Sequence, residues 1–187
     1  MNKFILGKKL GMTTLYDKER GALNVTLIEC EPNTVSMVRS EEKDGYPALQ
    51  LEIVKTKNKM HRKEFRLEKD AEAEVGSKIT VESFQIGDVV KVSGIGKAKG
   101  FQGVVKRHGF KGSPKSHGHK HDLRAPGSIG AQQPQHVIKG KKMAGRMGGK
   151  RVTAKNMKVA YIDAAKNILA VHGGVPGVVG RIVEIRG

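Results

Sequence analysis

The sequence predicts a mainly β protein, a small barrel or sandwich with one long, largely irregular basic extension inserted between its strands. Short runs rich in Val, Ile, Leu and Thr recur about every 8 to 12 residues on both sides of the chain's middle, the spacing of a small all-β domain. Residues 97–151 hold fourteen Lys and Arg against one acid, Asp122, so +13 of the formal net charge of +17 lies there. The flanks are near neutral: residues 1–96 carry sixteen bases and fifteen acids, and residues 152–187 five bases and two acids.

Taken in order, residues 3–6, 25–30, 35–39, 48–54, 79–84 and 89–92 read as strands. The segments Asp17 to Gly21, Pro32-Asn33, Asp44-Gly45 and Gly87-Asp88 between them have turn chemistry. Residues 58–73 are polar and charge-laced and read as a short helix or a surface loop. Beyond the basic segment, residues 152–162, 168–172 and 181–185 again read as strands, with Asp163 to Asn167 as a connecting turn. One domain built from residues 1–96 and 152–187 therefore requires residues 97–151 to leave it and return. A loop of that length usually argues against an assignment. Here eleven glycines and fourteen bases explain it, because such a segment can become ordered on a partner.

A chain of 187 residues supports one core. Aromatics are 4% and Trp is absent, so that core must come from the aliphatic residues of the flanks. The single Cys30 excludes an internal disulfide or a four-thiolate zinc site and reads as a small buried hydrophobe. The first residues hold too short an apolar run for a signal peptide, and nowhere do about 20 apolar residues occur together. A soluble cytoplasmic protein with no membrane partner and no homo-oligomer is expected.

Localised, one-sided charge implies a polyanionic partner that is closely approached, and nucleic acid is the obvious one. Gly lets the backbone approach phosphates and sugars, Lys offers a mobile charge, and Arg offers a planar fork. Glycines and prolines interrupt every helical period in the segment, and no zinc-finger spacing occurs, so a folded RNA with crevices fits better than a duplex groove. The expected phosphate contacts are Lys97, Lys99, Lys106, Arg107, Lys111, Lys115, Arg124, Lys139, Lys141, Lys142, Arg146, Lys150 and Arg151.

Metal and catalytic readings are weaker. His117, His119 and His121 alternate as ligands on a strand can, but Lys120 and Arg124 beside them oppose a cation. His172, in an apolar run, reads as a structural histidine. The run Gly94 to Gly100 lacks the Walker spacing, and no Gly-x-Ser-x-Gly turn occurs. No enzyme activity, metal or cofactor is expected. The rival classes are a transient RNA chaperone or assembly factor, and a metal- or nucleotide-dependent enzyme acting on RNA through the histidine cluster.

Four stretches then speak more specifically: Phe4-Ile-Leu-Gly-Lys-Lys-Leu-Gly-Met-Thr13, Gly100-Phe-Gln-Gly-Val-Val-Lys-Arg-His-Gly-Phe110, Arg124-Ala-Pro-Gly-Ser-Ile-Gly130 and Lys139-Gly-Lys-Lys-Met-Ala-Gly-Arg-Met-Gly148. In this order they closely resemble the signature stretches of the universal large-subunit ribosomal protein family L3 (uL3), in its bacterial form. The likeness runs on to Val175-Pro-Gly177 and covers nearly the whole chain. The resemblance implies a translation-factor-like β-barrel on the surface of the large subunit. It further implies a long extension threading into large-subunit (23S-type) ribosomal RNA toward the peptidyl-transferase centre, early binding during assembly near the 3′ end of that RNA, and contacts with neighbouring ribosomal proteins.

The family's extension tip follows the Ala-Pro-Gly-Ser-Ile-Gly motif, which corresponds here to residues 131–136 and makes Gln132, Gln133 and His136 the residues nearest the tip. Some bacterial members carry a methylated glutamine in this region, and Gln133 matches it best. The family commonly follows that glutamine with Thr-Pro-Gly, whereas this chain has Pro134 and Gln135 and is one residue shorter. A second departure lies at residues 55–66, where the family has a longer stretch before the Glu-Phe-Arg matched by Glu64-Phe-Arg66.

Overall fold

The computed structural model describes residues 3–18, 21–68 and 73–187. It is mainly β, as expected, and the chain divides into two compact units, residues 1–96 with 151–187 and residues 97–150. Strands β1 (Phe4–Asp17), β2 (Gly21–Glu29) and β3 (Asn33–Arg39) are followed by a single helical turn, α1 (Glu41–Asp44). Next come β4 (Ala48–Thr56), β5 (Lys59–Arg66), the short β6 (Lys78–Ile79) and β7 (Val89–Ile95). The basic segment contributes β8 (Phe101–Gln102), α2 (Val104–His108) and β9 (Gly145–Arg146), and the chain closes with β10 (Arg151–Asp163), β11 (Ile168–His172) and β12 (Ile182–Arg186).

Six of these strands form a closed barrel in the order β1, β12, β7, β10, β11, β2, with antiparallel neighbours throughout. Closure leaves none of these strands as an open edge. The middle strands do not join it. They form a separate four-stranded sheet in the order β5, β4, β3, β6, so the first unit holds a barrel and a sheet where one barrel was expected.

The unit accordingly has two apolar clusters. Ile5, Ile28, Val90, Val92, Leu169, Val171, Val183 and Ile185 fill the barrel, whereas Phe4, Leu6, Val35, Leu49, Leu51, Ile53 and Phe65 pack under the sheet. Successive side chains of a strand point to opposite faces, so the apolar run Phe4-Ile5-Leu6 serves both: Ile5 enters the barrel while Phe4 and Leu6 enter the sheet cluster. Phe4 stacks on Phe65 with ring centroids 4.8 Å apart. Gly7 permits this packing, since a Cβ there would stand 2.6 Å from the Cys30 sulfur and 2.6 Å from Ile28.

Other sequence expectations are corrected. Residues 59–66 form a strand, neither helix nor loop, and residues 69–72 lie outside the described residues. The expected strand over residues 79–84 is a two-residue pairing, β6, followed by a 3₁₀ turn at Val81–Ser83, which lets Val81 and Phe84 both reach the barrel core. His172 is exposed at the end of β11, because strand alternation turns its neighbour Val171 inward.

The basic insertion is accommodated at one rung of the barrel. Ile95 ends β7 and Arg151 begins β10, and the two residues are direct partners in the β7–β10 ladder. Arg151, expected within the extension, therefore belongs to the barrel.

Candidate nucleic-acid interface

Residues 97–150 form a unit without a core of its own: among the described residues there, Val104 is the one buried hydrophobe. Hydrogen bonds hold it instead. The β8–β9 ladder pairs Phe101 with Arg146 and Gln102 with Gly145. It is continued by the Lys99 amide donating to the Met147 carbonyl (3.0 Å) and the Met147 amide donating to the Gly100 carbonyl (2.9 Å). Helix α2 places Lys106, Arg107 and His108 in its last turn, where cations suit the negative end of the helix dipole. Further along, the Ser113 amide donates to the Leu123 carbonyl (3.1 Å) and closes the loop that carries His117, His119 and His121. Gly112, at φ +74°, allows this closure: a Cβ there would stand 2.4 Å from the Leu123 oxygen.

Of the expected contacts within the unit, Lys97, Lys99, Lys106, Lys111, Lys115, Arg124, Lys139, Lys141, Lys142, Arg146 and Lys150 are all exposed, as are Gln132, Gln133 and His136. Arg107 differs. It is half-buried and donates to the Met143 carbonyl at 2.6 Å, beside a His108 ring nitrogen 3.0 Å from the same oxygen, so it clasps the unit together. Arg151 donates to both carboxylate oxygens of Glu184 through its two terminal guanidinium nitrogens, one at 2.7 Å, and its charge is thereby matched.

The contrast in pairing between the units defines the site. In the first unit Lys3 pairs with Asp88 (2.7 Å), Lys8 with Glu31 (3.1 Å), Arg39 with Glu64 (3.0 Å) and Asp44 (2.5 Å), and Arg62 with Glu52. Among the described residues, no Lys or Arg of residues 97–150 has an acidic partner. Like charges held close without counter-charges attract polyanions and release condensed counterions on binding.

Two features escaped the sequence reading. Lys120 is exposed and belongs to the same basic surface, although it was not among the expected contacts. The β4–β5 hairpin forms a second, smaller basic patch: Lys55, Lys57 and Lys59 surround its turn, whereas Arg62 and Lys63 beyond it are paired with Glu52 and Glu184. Burial, and then the charge of Lys55, lower the pKa of His61 beside them. The run Lys55-Thr-Lys-Asn-Lys59 was the available signal. Among the described residues, no group of three or more His, Cys, Asp or Glu is placed to hold a metal ion, and the alternating histidines are not brought together as one.

These features define a β-barrel protein that carries, at a single rung, a basic and coreless unit with unmatched charge. The chain belongs to the ribosomal protein L3 family, whose model, described as "Ribosomal protein L3", matches residues 64–170. Similar proteins include three named "Large ribosomal subunit protein uL3". That of Thioalkalivibrio sulfidiphilus is 43% identical over 203 residues, covering 97% of this chain and 95% of that protein. Those of Leifsonia xyli (46% identical, covering 97% and 92%) and Vibrio parahaemolyticus (41%, covering 97% and 96%) are similar over the same extent.

Proposed function

We propose that this chain is a structural, non-enzymatic constituent of the large ribosomal subunit in the cytoplasm, and that it binds the large-subunit ribosomal RNA. The observation that carries this is the unmatched positive charge of residues 97–150. On this reading the unit of residues 1–96 and 151–187 is a translation-factor-like barrel that anchors on outer RNA and neighbouring ribosomal proteins. Residues 97–150 extend into the RNA, neutralise its phosphates and stiffen the region around the peptidyl-transferase centre, while the chemistry of peptide-bond formation belongs to the RNA. Lys97, Lys99, Lys106, Lys111, Lys115, Lys120, Arg124, Lys139, Lys141, Lys142, Arg146 and Lys150 supply the phosphate contacts, and Gln132, Gln133 and His136 stand nearest the tip. The protein joins early in subunit assembly, and Gln133 is its candidate methylation site.

Sedimentation of a cell lysate through a sucrose gradient at high salt tests this reading. Stoichiometric retention in mature large subunits and translating ribosomes is expected. Release to the top of the gradient, or presence only in precursor particles, would identify a transient assembly factor instead.

A further inference from the structure

Asp122 is the one acid of residues 97–151. It is exposed, and among the described residues its carboxylate has no ion-pair or hydrogen-bond partner despite the bases around it. A lone carboxylate on a surface that approaches phosphates is repelled by them unless it meets a hydrogen-bond donor. Asp122 also lines an open cavity of about 430 Å³, together with Phe110, Gly112, Ser113, His119 and Pro126. The cavity is preformed. The Ser113–Leu123 hydrogen bond and the close approach of Gly112 to Leu123 fix one lip, and the Ala125 amide donating to the Asp122 carbonyl (3.2 Å) fixes the turn that bears the acid. Phe110, half-buried with its ring centroid 6.1 Å from that of His108, gives the cavity an aromatic wall.

We infer that this cavity receives an unstacked guanine of the bound RNA; the inference rests on the RNA reading above. Single-stranded bases are recognised by stacking on aromatic side chains and by hydrogen bonds to their Watson–Crick edges. Guanine alone presents two adjacent donors there, N1–H and the N2 amine, which match the two oxygens of a carboxylate. Adenine and cytosine set a ring-nitrogen acceptor beside their one amine, and uracil flanks its single N–H with two carbonyls, so each would repel one carboxylate oxygen. Asp122 selects the base, Phe110 and Pro126 offer faces for stacking, and Lys111 and Arg124 neutralise the adjoining phosphates.

The test is fluorescence anisotropy with the full chain and short single-stranded oligocytidines carrying one central guanine, inosine or adenine, over a salt series. The wild type is expected to bind the guanine probe about tenfold more tightly than the adenine probe, the discrimination of one bidentate contact. Inosine, which lacks the N2 amine, should fall between them. Asp122→Asn should abolish the guanine preference while leaving the circular dichroism spectrum unchanged. Equal binding of all three probes with a steep salt dependence would overturn the guanine site and leave the RNA reading standing, whereas salt-insensitive or absent binding of every probe would overturn both. A uniform gain in affinity for all probes in Asp122→Asn would show the acid to be an ordinary surface charge.

Discussion

The side chain of Asn33 grips the backbone of Leu6 on both sides of the residue: its Oδ1 accepts the Leu6 amide at 2.8 Å and its Nδ2 donates to the Leu6 carbonyl at 3.0 Å. The same Nδ2 donates to the Glu31 carbonyl at 2.7 Å, and Asn33 is fully buried. An amide side chain thus supplies the hydrogen bonds that a neighbouring strand would otherwise make, at the point where the chain passes from the barrel to the sheet. Asn33→Leu would strand a buried N–H and carbonyls at a cost of about 2–4 kcal/mol, since one unsatisfied buried group costs about 1–3 kcal/mol. Urea unfolding should show this as a lower midpoint with an unchanged slope.

Cys30 is expected to be inert in the folded protein. It is fully buried, and burial, followed by the charge of Glu29, pushes its thiol pKa up to about 12. The reactive thiolate is therefore scarce at neutral pH. Labelling with a thiol-specific disulfide reagent should be negligible in native buffer and complete in denaturant, and fast native labelling would refute the burial.

Asp88 links stability to acid. Its carboxyl pKa is lowered, first by the hydrogen bond from Lys3 and then by the backbone amide of Gln85. A lowered folded-state pKa contributes stability that is present above the unfolded value of about 3.9 and lost as pH falls through the folded one. The melting temperature should accordingly fall more steeply below about pH 4 in the wild type than in Asp88→Asn. Identical acid profiles would show that the Lys3–Asp88 pair contributes nothing.

Because Ile95 and Arg151 face each other in one ladder, residues 97–150 can be replaced by a short Gly-containing turn without breaking a barrel strand. The shortened protein should keep its β circular dichroism spectrum and a cooperative thermal transition while losing most RNA affinity. Loss of the transition would mean that the barrel depends on the basic unit.

Lys139, Lys141 and Lys142 are exposed together near the unit's end. Replacing all three with Ala should weaken binding uniformly across RNA sequences and reduce the salt slope by about 1 per contact removed. An unchanged slope would remove these residues from the interface.

The strands β2, β4, β7, β10 and β11 were legible because β-branched and aliphatic runs between turn residues state them locally. Strand β5 was hidden by its composition: it exposes Lys59, Met60, Arg62 and Arg66, and Phe65 is its one buried side chain, so it reads as polar loop until β4 is placed beside it. The division into barrel and sheet was equally hidden, because Phe4-Ile5-Leu6 looks like one apolar strand and nothing local says that its alternate residues feed different cores. The charge of residues 97–151 could be counted directly. The cavity of Asp122 could not, since it depends on Gly112 meeting Leu123 across a loop.

The double burial of β1 also bears on how its alignment is chosen. In most strands a slip by one residue is penalised because a polar side chain would enter a core. Here Phe4, Ile5 and Leu6 are apolar on both faces, so polarity within this run distinguishes the native alignment less sharply than an alternating strand would. Gly7, Asn33 and Lys9 add that information: Gly7 lacks the Cβ that Cys30 and Ile28 leave no room for, the Leu6 backbone meets the Asn33 amide, and the buried Lys9 ammonium donates to the Val175 and Gly177 carbonyls. Proofreading of the first strand therefore falls in part to a missing methyl group, a single carboxamide and one buried ammonium.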